Sequence, residues 1–211
     1  MRWIYALKNS KLGYHVYKLN TNDSIIIYTN HWQRNSLLIV LYGTLYAMKI
    51  LKNNKKISTI MLNKNKIFKA HLDNSESYYK LIALEKTYIT NIDINCIEIK
   101  TPISKKLLEN IINSYKETIK VYEALNKIIQ EKQTNKRIIQ NIFFILLHFG
   151  IVRNKKIYLP FKLSQKQLSF ISQTNQGKTS KIIKNINYEW RIKNPTQISI
   201  EIKNLFNLTV E

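Results

Sequence analysis

Cysteine, proline, glycine and acidic residues are all scarce in this sequence. Its 211 residues include one cysteine, three prolines, four glycines and 13 aspartates and glutamates. A single cysteine excludes a disulfide framework and any cluster of thiolate metal ligands. We interpret Cys96, which stands among alternating apolar residues, as a thiol of the core.

Long hydrophobic runs are also missing. The two longest, Ser36–Met48 and Ile142–Phe149, are too short to span a bilayer. The N-terminal segment has neither a signal-peptide core nor the composition of a transit peptide. We therefore expect no membrane partner, and a protein that works in the compartment where it is made.

Clustered catalytic or metal-binding residues are absent from the sequence pattern. The four histidines show no H-x-H or i,i+4 pairing, and no Ser/His/Asp or Cys/His arrangement stands out. For His148, which lies in an apolar segment, we expect a packed or capping role. The sequence therefore predicts a protein that is not an enzyme and that holds no metal.

Positive charge is what the sequence has in excess. Its 34 lysines and arginines give a net charge of +21, a balance typical of nucleic-acid-binding proteins. Isoleucine, asparagine and lysine make up about two-fifths of the chain, as expected from an AT-rich genome, so the total charge alone is a weak indicator. Its distribution says more, because residues 151–195 hold ten basic residues and a single acid, Glu189.

Residues 14–100 have the pattern of a β-rich domain. Short segments rich in Ile, Tyr, Val and Leu are separated by Asn, Asp and Ser clusters, which predicts many short strands in a sandwich or barrel. We expect tight turns at Asn53-Asn54 and within Leu62–Phe68, because asparagine tolerates positive φ. Gly43 predicts a bulge or bend. The predicted strands are YHVYKL, SIIIY, LLIVLYGTLYAMKIL, KISTIML, YYKLIALE, TYITNIDI and CIEIK.

A long amphipathic helix follows. Leu108, Tyr115, Tyr122 and Ile129 are seven residues apart, which predicts a helix from Ser104, as its N-cap, to about Thr134. Its apolar stripe could pack on the chain's own β-domain or against a second copy in a parallel dimer. The next segment, KRIIQNIFFILLHFG, is apolar nearly all round and predicts a buried helix capped by Gly150.

The basic C-terminal segment has the pattern of two short helices between two strands. Ser164 is a good N-cap for the first helix, whose Leu168 and Ile171 face inward, and a break at Gln173–Asn175 separates it from the second. The expected inward residues of the second helix are Thr179, Ile182, Ile183 and Ile186. The strands are KKIYLPF before the helices and QISIEI after them. This arrangement fits a helix-turn-helix, although a helical hairpin with a solvated lysine face has the same pattern.

In a helix-turn-helix, the outer face and N-terminus of the second helix meet the base edges of the major groove. Glutamine can pair with adenine, lysine with guanine or phosphate, and serine with phosphate oxygens. The residues predicted to contact DNA are Ser164, Gln165, Lys166, Asn175, Gln176, Lys178, Ser180, Lys181 and Lys184.

From about Lys18 to Leu208 the chain resembles the CRP/FNR superfamily of transcription regulators. Within that superfamily it most resembles the global nitrogen regulators of cyanobacteria and their counterparts encoded in red algal plastids. The resemblance rests on four segments. They are LLIVLYGTLYAMKI, NKIFKAHL, KRIIQNIFFILLHFGI and YLPFKLSQKQLSFISQTNQGKTSKIIKNI.

The resemblance implies an α+β fold in three parts. Residues 1–103 would form a cyclic-nucleotide-binding-like β-barrel of the jelly-roll type, 104–134 a long dimerisation helix, and 135–211 a winged helix-turn-helix. It also implies a homodimeric regulator of nitrogen-related genes, an activator that binds double-stranded DNA and RNA polymerase. The expected location is the plastid (chloroplast) of an alga that encodes the protein there, or else the cytoplasm of an AT-rich bacterium.

The chain departs from the family's pattern in both halves. The recognition helix usually carries arginines where Gln176 and Lys181 stand, and the turn glycine is replaced by Gln173, which costs about 1 kcal/mol if that site is left-handed. The cyclic-nucleotide cassette, a Gly-Glu turn followed by an arginine, is absent, so we do not expect cAMP. The four cysteines of an iron–sulfur cluster are absent too.

The effector turn is also altered. The resemblance places effector contacts at Phe68, Lys69, Ala70, His71, Leu72 and Glu123, and it suggests 2-oxoglutarate as the effector. The arginines that would hold its carboxylates fall near Ser77 and Thr118, leaving Lys69, Lys116 or Lys120 as substitutes.

The alternative function is a basic RNA- or ribosome-associated protein without sequence-specific DNA recognition.

Overall fold

The computed structural model describes residues 2–10, 12–29, 36–71, 76–97, 102–190 and 199–201. The chain divides into two compact units, Met1–Tyr122 and Glu123–Glu211. Within the described ranges, no helix is both long enough and apolar enough to cross a membrane.

The first unit contains eight described strands in two antiparallel sheets. One sheet has the order β1-β8-β3-β6 and the other β2-β7-β4-β5, which is the strand order of a jelly roll and confirms the predicted architecture. The strands are β1 (His15–Leu19), β2 (Ser24–Tyr28), β3 (Ser36–Tyr42), β4 (Leu45–Ile50), β5 (Lys56–Leu62), β6 (Ile67–Phe68), β7 (Tyr78–Ala83) and β8 (Thr87–Asp93).

The predicted turns of the jelly roll are confirmed. Asn54 and Asn65 adopt φ of 60° and 69° in the turns after β4 and β5, where asparagine tolerates the left-handed region. Gly43, at φ 85°, forms the bend at which the chain leaves one sheet for the other. A side chain there would collide with Thr87 Oγ1 and the carbonyl oxygen of Lys86, so both the backbone angle and the close approach require glycine.

Two features of this unit differ from the sequence prediction. The segment Ile94–Cys96 is a 3-10 turn, so CIEIK does not begin as a strand, and the Cys96 side chain and residues 98–100 lie outside the described part. An N-terminal helix, α1 (Arg2–Asn9), was not predicted. Its Trp3 and Leu7 belong to a buried cluster with residues of β3 and of the long helix.

The long helix, α2, spans Pro102–Ile129. The prediction that Ser104 caps it is wrong, because the helix begins at proline, whose fixed φ and missing N–H suit the first helical position. Ser104 is inside the helix and buried. The helix also ends before Thr134, where the next helix starts.

Helix α2 has two apolar faces, so the two packing alternatives suggested by its sequence are not exclusive. One face is buried within its own chain and includes Leu107, Ile111, Val121 and Leu125. A second face remains partly exposed on the single chain.

The second unit continues with α3 (Thr134–Phe149), a buried helix as predicted. Gly150 is its C-cap, but in an extended conformation with φ −73°. Its lack of a side chain is needed because a Cβ would collide with the carbonyl of Leu146 and the side chain of Ile157. His148 is exposed, and its ring packs against Phe144 with centroids 4.4 Å apart.

A small antiparallel sheet of order β11-β10-β9 completes the described part of this unit. Strands β10 (Lys156–Tyr158) and β11 (Ser199–Glu201) confirm the two predicted strands, whereas β9 (Ile151–Arg153) was not predicted. Asn154 and Lys155 both have positive φ between β9 and β10, the backbone of a tight hairpin turn. Together with α4 (Gln165–Ile171) and α5 (Gln176–Trp190), the sheet forms a winged helix-turn-helix.

Candidate nucleic-acid interface

The first short helix, α4, begins with a complete capping box. The Ser164 hydroxyl accepts a hydrogen bond from the Gln167 amide at 3.1 Å, and the Gln167 side chain accepts one from the Ser164 amide at 2.8 Å. Two amides that the helix itself leaves without partners are thereby satisfied. The predicted cap is confirmed, and it holds the start of α4 rigidly.

The turn between the two helices is held by Gln173 in the left-handed region, at φ 49°. The Gln173 amide donates to the Phe170 carbonyl at 3.1 Å, and the Thr174 amide donates to the Ser169 carbonyl at 2.9 Å. These bonds satisfy carbonyls at the end of α4. This turn is left-handed, so the steric cost that a glycine would avoid applies to Gln173.

The start of α5 is fixed by two side-chain contacts. Asn175 accepts a hydrogen bond from the Lys178 amide at 2.8 Å, as an N-cap residue does. Thr174 and Thr179 join their hydroxyls at 2.8 Å, and Thr179 is fully buried. The threonine pair joins the first turn of α5 to the turn that precedes it. The orientation of the amides and side chains at the N-terminus of α5 is therefore fixed relative to that turn.

The inner and outer faces of the two helices lie where the sequence predicts. Leu168 and Ile171 of α4 and Thr179, Ile182 and Ile183 of α5 are buried, while the Ile186 side chain lies outside the described part.

The predicted DNA-contacting residues occupy the outer surface. Seven of them are exposed, namely Ser164, Lys166, Asn175, Gln176, Lys178, Lys181 and Lys184, and two, Gln165 and Ser180, are half-buried. The structure thus brings all nine onto two helices and one turn.

Further exposed basic residues lie in the same unit as α5. Arg153, Lys155 and Lys156 of the wing hairpin are exposed, as is Lys162 ahead of α4. Residues 151–185 contain no aspartate or glutamate, while Lys156 of β10 lies opposite Glu201 of β11 in the sheet register. A phosphate backbone is the polyanion that such a surface attracts.

Sequence reasoning missed two residues of this region. Gly177, in the first turn of α5, is exposed, and a Cβ built on it would meet only Asn175 Oδ1, at 3.8 Å. Nothing in the described fold therefore requires a glycine at this position. Its presence inside a helix, where glycine is unfavourable, was the available signal.

The second missed residue is Arg137 of α3. Its guanidinium donates to the Glu131 carbonyl at 2.9 Å and to the Gln173 carbonyl at 3.4 Å. It therefore links the segment after α2 to the turn of the helix-turn-helix. No sequence pattern marks this role, because it depends on a contact across 36 residues.

The predicted effector residues that the structure describes differ in their exposure. Phe68 is buried and packs edge-on against Tyr79, with centroids 5.2 Å apart, and Ala70 is buried too. Lys69 and His71 are exposed, as is Glu123 of α2, while Leu72 lies outside the described residues. Phe68 therefore belongs to the core that joins the two sheets.

Two short hydroxyl side chains, near which the resemblance would place arginines, have structural roles. Ser77 is buried, and its carbonyl accepts a hydrogen bond from the Thr29 hydroxyl at 2.9 Å. Thr118 accepts from the Ile67 amide at 3.0 Å and donates to the Ser114 carbonyl at 2.8 Å.

A charged trio lies beside this contact. Glu117 is 2.8 Å from the ammonium of Lys120 and 3.7 Å from that of Lys66, whose side chain is only 15% exposed. Burial lowers the pKa of Lys66, with Glu117 opposing the shift. Lys120, and then Lys66, lower the pKa of Glu117, and Glu117 raises the pKa of Lys120. Of the three lysines suggested as effector ligands, Lys120 is thus already paired.

The described residues contain no group of three or more His, Cys, Asp or Glu side chains arranged to hold a metal ion.

Comparison with known proteins places this geometry in a structural class. No protein-family model and no curated protein matches the sequence significantly. Solved structures do match over nearly the whole chain. A CRP-family transcriptional regulator from Thermus thermophilus matches with a TM-score of 0.69 at 12% identity, covering 90% of this chain and 95% of its own.

Two further structures agree. A cyclic nucleotide-binding domain containing protein from Listeria monocytogenes gives a TM-score of 0.70 at 15% identity, covering 96% of this chain and 97% of its own. The c-di-GMP responsive global regulator CLP of Xanthomonas campestris gives 0.69 at 10% identity, covering 94% and 98%. The chain has the fold of CRP/FNR-type transcription regulators, a cyclic-nucleotide-binding-like jelly roll followed by a winged helix-turn-helix.

Proposed function

We propose that the protein is a transcription regulator that binds specific double-stranded DNA sequences as a homodimer. The proposal rests on the two faces of α5, one buried and one exposed to solvent. Its inner face is buried against α4, and its outer face presents Gln176, Lys178 and Lys181 to solvent in a segment, residues 151–185, that contains no aspartate or glutamate. A helix held in this way fits the major groove.

Each outward residue has a definite chemistry toward DNA. Gln176, at the N-terminus of α5, can form paired hydrogen bonds with adenine, and Lys181 can donate to guanine or to phosphate. The capped N-termini of α4 and α5, with Ser164 and Asn175, suit phosphate oxygens. Since lysine lacks the two-pronged geometry of arginine, we expect phosphate contacts to contribute much of the affinity.

The homodimer is supported by the second apolar face of α2, which stays half-exposed at Ile112, Ile119 and Tyr122. Pairing of two α2 helices about a two-fold axis would cover it. The bound DNA is then expected to contain two inverted half-sites whose centres are about one helical turn, roughly 34 Å, apart.

The test is selection of bound sequences from random duplexes, followed by footprinting on promoters of the protein's own genome. The proposal expects a palindrome protected at two half-sites. In anisotropy titrations, Lys181→Ala should weaken binding and reduce the salt slope by about one, and Gln176→Ala should relax preference at one base pair per half-site. Lys64→Ala, which removes an exposed lysine of the first unit, is the matched control.

Two results would reject this function. One is uniform, salt-sensitive binding to all duplexes with no discrete site, as nonspecific electrostatic attraction produces. The other is stronger binding to single-stranded or structured RNA than to any duplex DNA, which is the behaviour of a basic RNA- or ribosome-associated protein.

We further propose nitrogen-related genes as the targets, activation through contact with RNA polymerase as the action, and a plastid that encodes the protein as the location. The resemblance of the four segments quoted above to cyanobacterial and plastid nitrogen regulators supports these proposals, as does the AT-rich composition. Immunodetection in isolated plastids and run-on transcription from footprinted promoters test them.

For the effector we propose 2-oxoglutarate, whose two carboxylates need cationic partners. Exposed Lys69, His71 and Lys116 offer positive or donor groups in the first unit. Titration of 2-oxoglutarate against DNA affinity is the test. An unchanged affinity over a wide concentration range would reject it and leave the DNA-binding proposal intact.

A further inference from the structure

The half-exposed face of α2 follows one regular spacing from end to end. Its residues alternate by four and three positions along the helix, and we call this set the seam. The seam consists of Leu108, Ile112, Tyr115, Ile119, Tyr122, Asn126 and Ile129. Ile112, Ile119 and Tyr122 remain 45%, 44% and 43% exposed, which is unusual for large apolar side chains on a helix whose opposite face is buried.

This spacing is that of a two-stranded coiled coil. Alternation by four and three assigns Ile112, Ile119 and Asn126 to the first core position of successive heptads, and the leucine, the tyrosines and Ile129 to the second. Isoleucine at the first position with leucine at the second favours two parallel strands, and the seam has this combination at its start, in Leu108 and Ile112. A second copy of this chain is therefore the occupant that the seam fits.

Asn126 is the single residue of the seam whose side chain carries an amide. It is half-buried on the single chain, and its side chain has no hydrogen-bond partner among the residues that the structure describes. Pairing of two α2 helices would remove it further from water. A buried amide without partners is costly, so the favoured pairing is the one that supplies them.

We propose that Asn126 sets the register and the parallel direction of the dimer by pairing with Asn126 of the second copy. This inference rests on the homodimer proposed above and deepens it. Two side-chain amides face each other across a two-fold axis only when the helices are parallel and in register. In an antiparallel pair the first core position of one helix meets the second core position of the other, so Asn126 would face Tyr115 and would lose the amide of its counterpart.

The direction of pairing matters for the proposed function. Parallel helices place the two helix-turn-helix segments, which follow α2 in each copy, at the same end of the pair. An antiparallel pair would place them at opposite ends, too far apart to contact neighbouring half-sites on one DNA. A polar residue that disfavours the antiparallel pair therefore keeps the dimer in the arrangement that can bind two half-sites, although it lowers dimer stability.

Disulfide trapping tests the register. In a Cys96→Ala background, Asn126→Cys should form a covalent dimer on mild oxidation, because the two positions face each other. Lys127→Cys, one residue along on the exposed side, is the matched control and should remain mostly monomeric on a denaturing gel. A Lys127→Cys dimer that forms as fast as the Asn126→Cys dimer would contradict the assigned register.

Asn126→Val tests the role of the amide itself. Sedimentation should show a tighter dimer, with a dissociation constant at least tenfold lower, together with species of the wrong direction. Mixing Ile112→Cys and Ile129→Cys versions of this variant should give a heterodimeric disulfide, which marks antiparallel pairs, whereas the same mixture with Asn126 retained should not. Circular dichroism confirms that each variant is folded, and Asn126→Leu repeats the test with a second side chain.

Three outcomes separate the two proposals. A monomeric wild-type protein would overturn the homodimer and this inference together. A dimer that stays wholly parallel, with an unchanged dissociation constant, after Asn126→Val and Asn126→Leu would overturn the role of Asn126 and leave the homodimer standing. Appearance of antiparallel or larger species in both variants supports both.

Discussion

The hydroxyl of Thr118 on α2 accepts a hydrogen bond from the backbone amide of Ile67 at 3.0 Å. Ile67 lies in β6, a two-residue strand at the edge of its sheet, and its side chain is buried. A side chain of the long helix thus satisfies an edge amide of the jelly roll. This contact occupies a position where the family resemblance leads one to expect a ligand-binding arginine.

Thr118→Val should lower the free energy of unfolding by roughly 1–3 kcal/mol, because the isosteric change leaves the Ile67 amide without its acceptor. Urea denaturation monitored by tryptophan fluorescence gives the value. Thr118→Ser keeps the hydroxyl and should lose less than Thr118→Val. Equal losses would show that the methyl group, rather than the hydrogen bond, contributes the stability.

Glu117→Gln should lower the free energy of unfolding at pH 7, since it removes the partner of Lys120 and Lys66. The pKa of Glu117 is below its ordinary value in the folded protein. Its contribution is therefore present above the ordinary pKa and lost as the pH falls through the folded-state pKa. Denaturation curves at pH 7 and near pH 3 should show a difference between variant and wild type that disappears in acid.

The matched control for this pH dependence is Glu109→Gln on the same helix. Glu109 forms a solvent-exposed pair with Lys106 at 3.3 Å, and such pairs contribute little. Glu109→Gln should lower the free energy of unfolding at pH 7 by less than Glu117→Gln does. A pH-independent loss in Glu117→Gln would mean that packing of the side chain, and not its charge, is responsible.

Gln173→Gly should raise the free energy of unfolding by roughly 1 kcal/mol, because glycine adopts the observed φ of 49° without steric cost. Thermal or chemical denaturation of the variant and the wild type measures the gain in the free energy of unfolding. Lys166→Gly, at a helical position of α4, should instead destabilise the protein by a comparable amount. If both variants lose stability, the left-handed turn is not strained by glutamine.

Gly177→Ala separates folding from DNA binding. The added methyl group meets open space, so the fold should gain about 0.5–1 kcal/mol from the better helix former. If the glycine is there to admit a close phosphate, affinity for the selected operator should fall by roughly tenfold, the equivalent of one hydrogen bond to a charged group. Asn185→Ala, an exposed change on the same helix, is the control that should leave affinity unchanged.

Affinity that is unaltered in Gly177→Ala would show that no phosphate approaches the backbone closely at this position. The contacts proposed for Gln176, Lys178 and Lys181 would then be tested by their own variants.

The sequence predicted those features that depend on local periodicity. Alternating apolar residues and asparagine turns predicted most strands of the jelly roll, and the resemblance supplied its type. Ser164, Gln173 and the stripe from Thr179 to Ile183 located the helix-turn-helix, because capping, turn geometry and helical spacing are encoded within a few residues.

Other features could not be predicted, because they depend on contacts between residues distant in the chain. Helix α1 is stabilised by Trp3 and Leu7 packing with Leu107 and Ile111, and its own sequence has little that requires a helix. Helix α2 begins at Pro102 and not after the cap expected at Ser104. Ser104 instead lies within the helix and is buried. The links from Arg137 to Gln173 and from Thr118 to Ile67 join residues 36 and 51 positions apart.

Local physics in the sequence alone thus determined which segments are strands and helices, and which face of α5 is polar. The tertiary structure alone decided that α2 has one face buried in its own chain and another left half-exposed, and that the hydroxyl of Thr118 accepts a hydrogen bond from the amide of Ile67. The reason is that a side chain's propensity acts within a few residues, whereas burial and hydrogen-bond pairing depend on which distant segments the fold brings together.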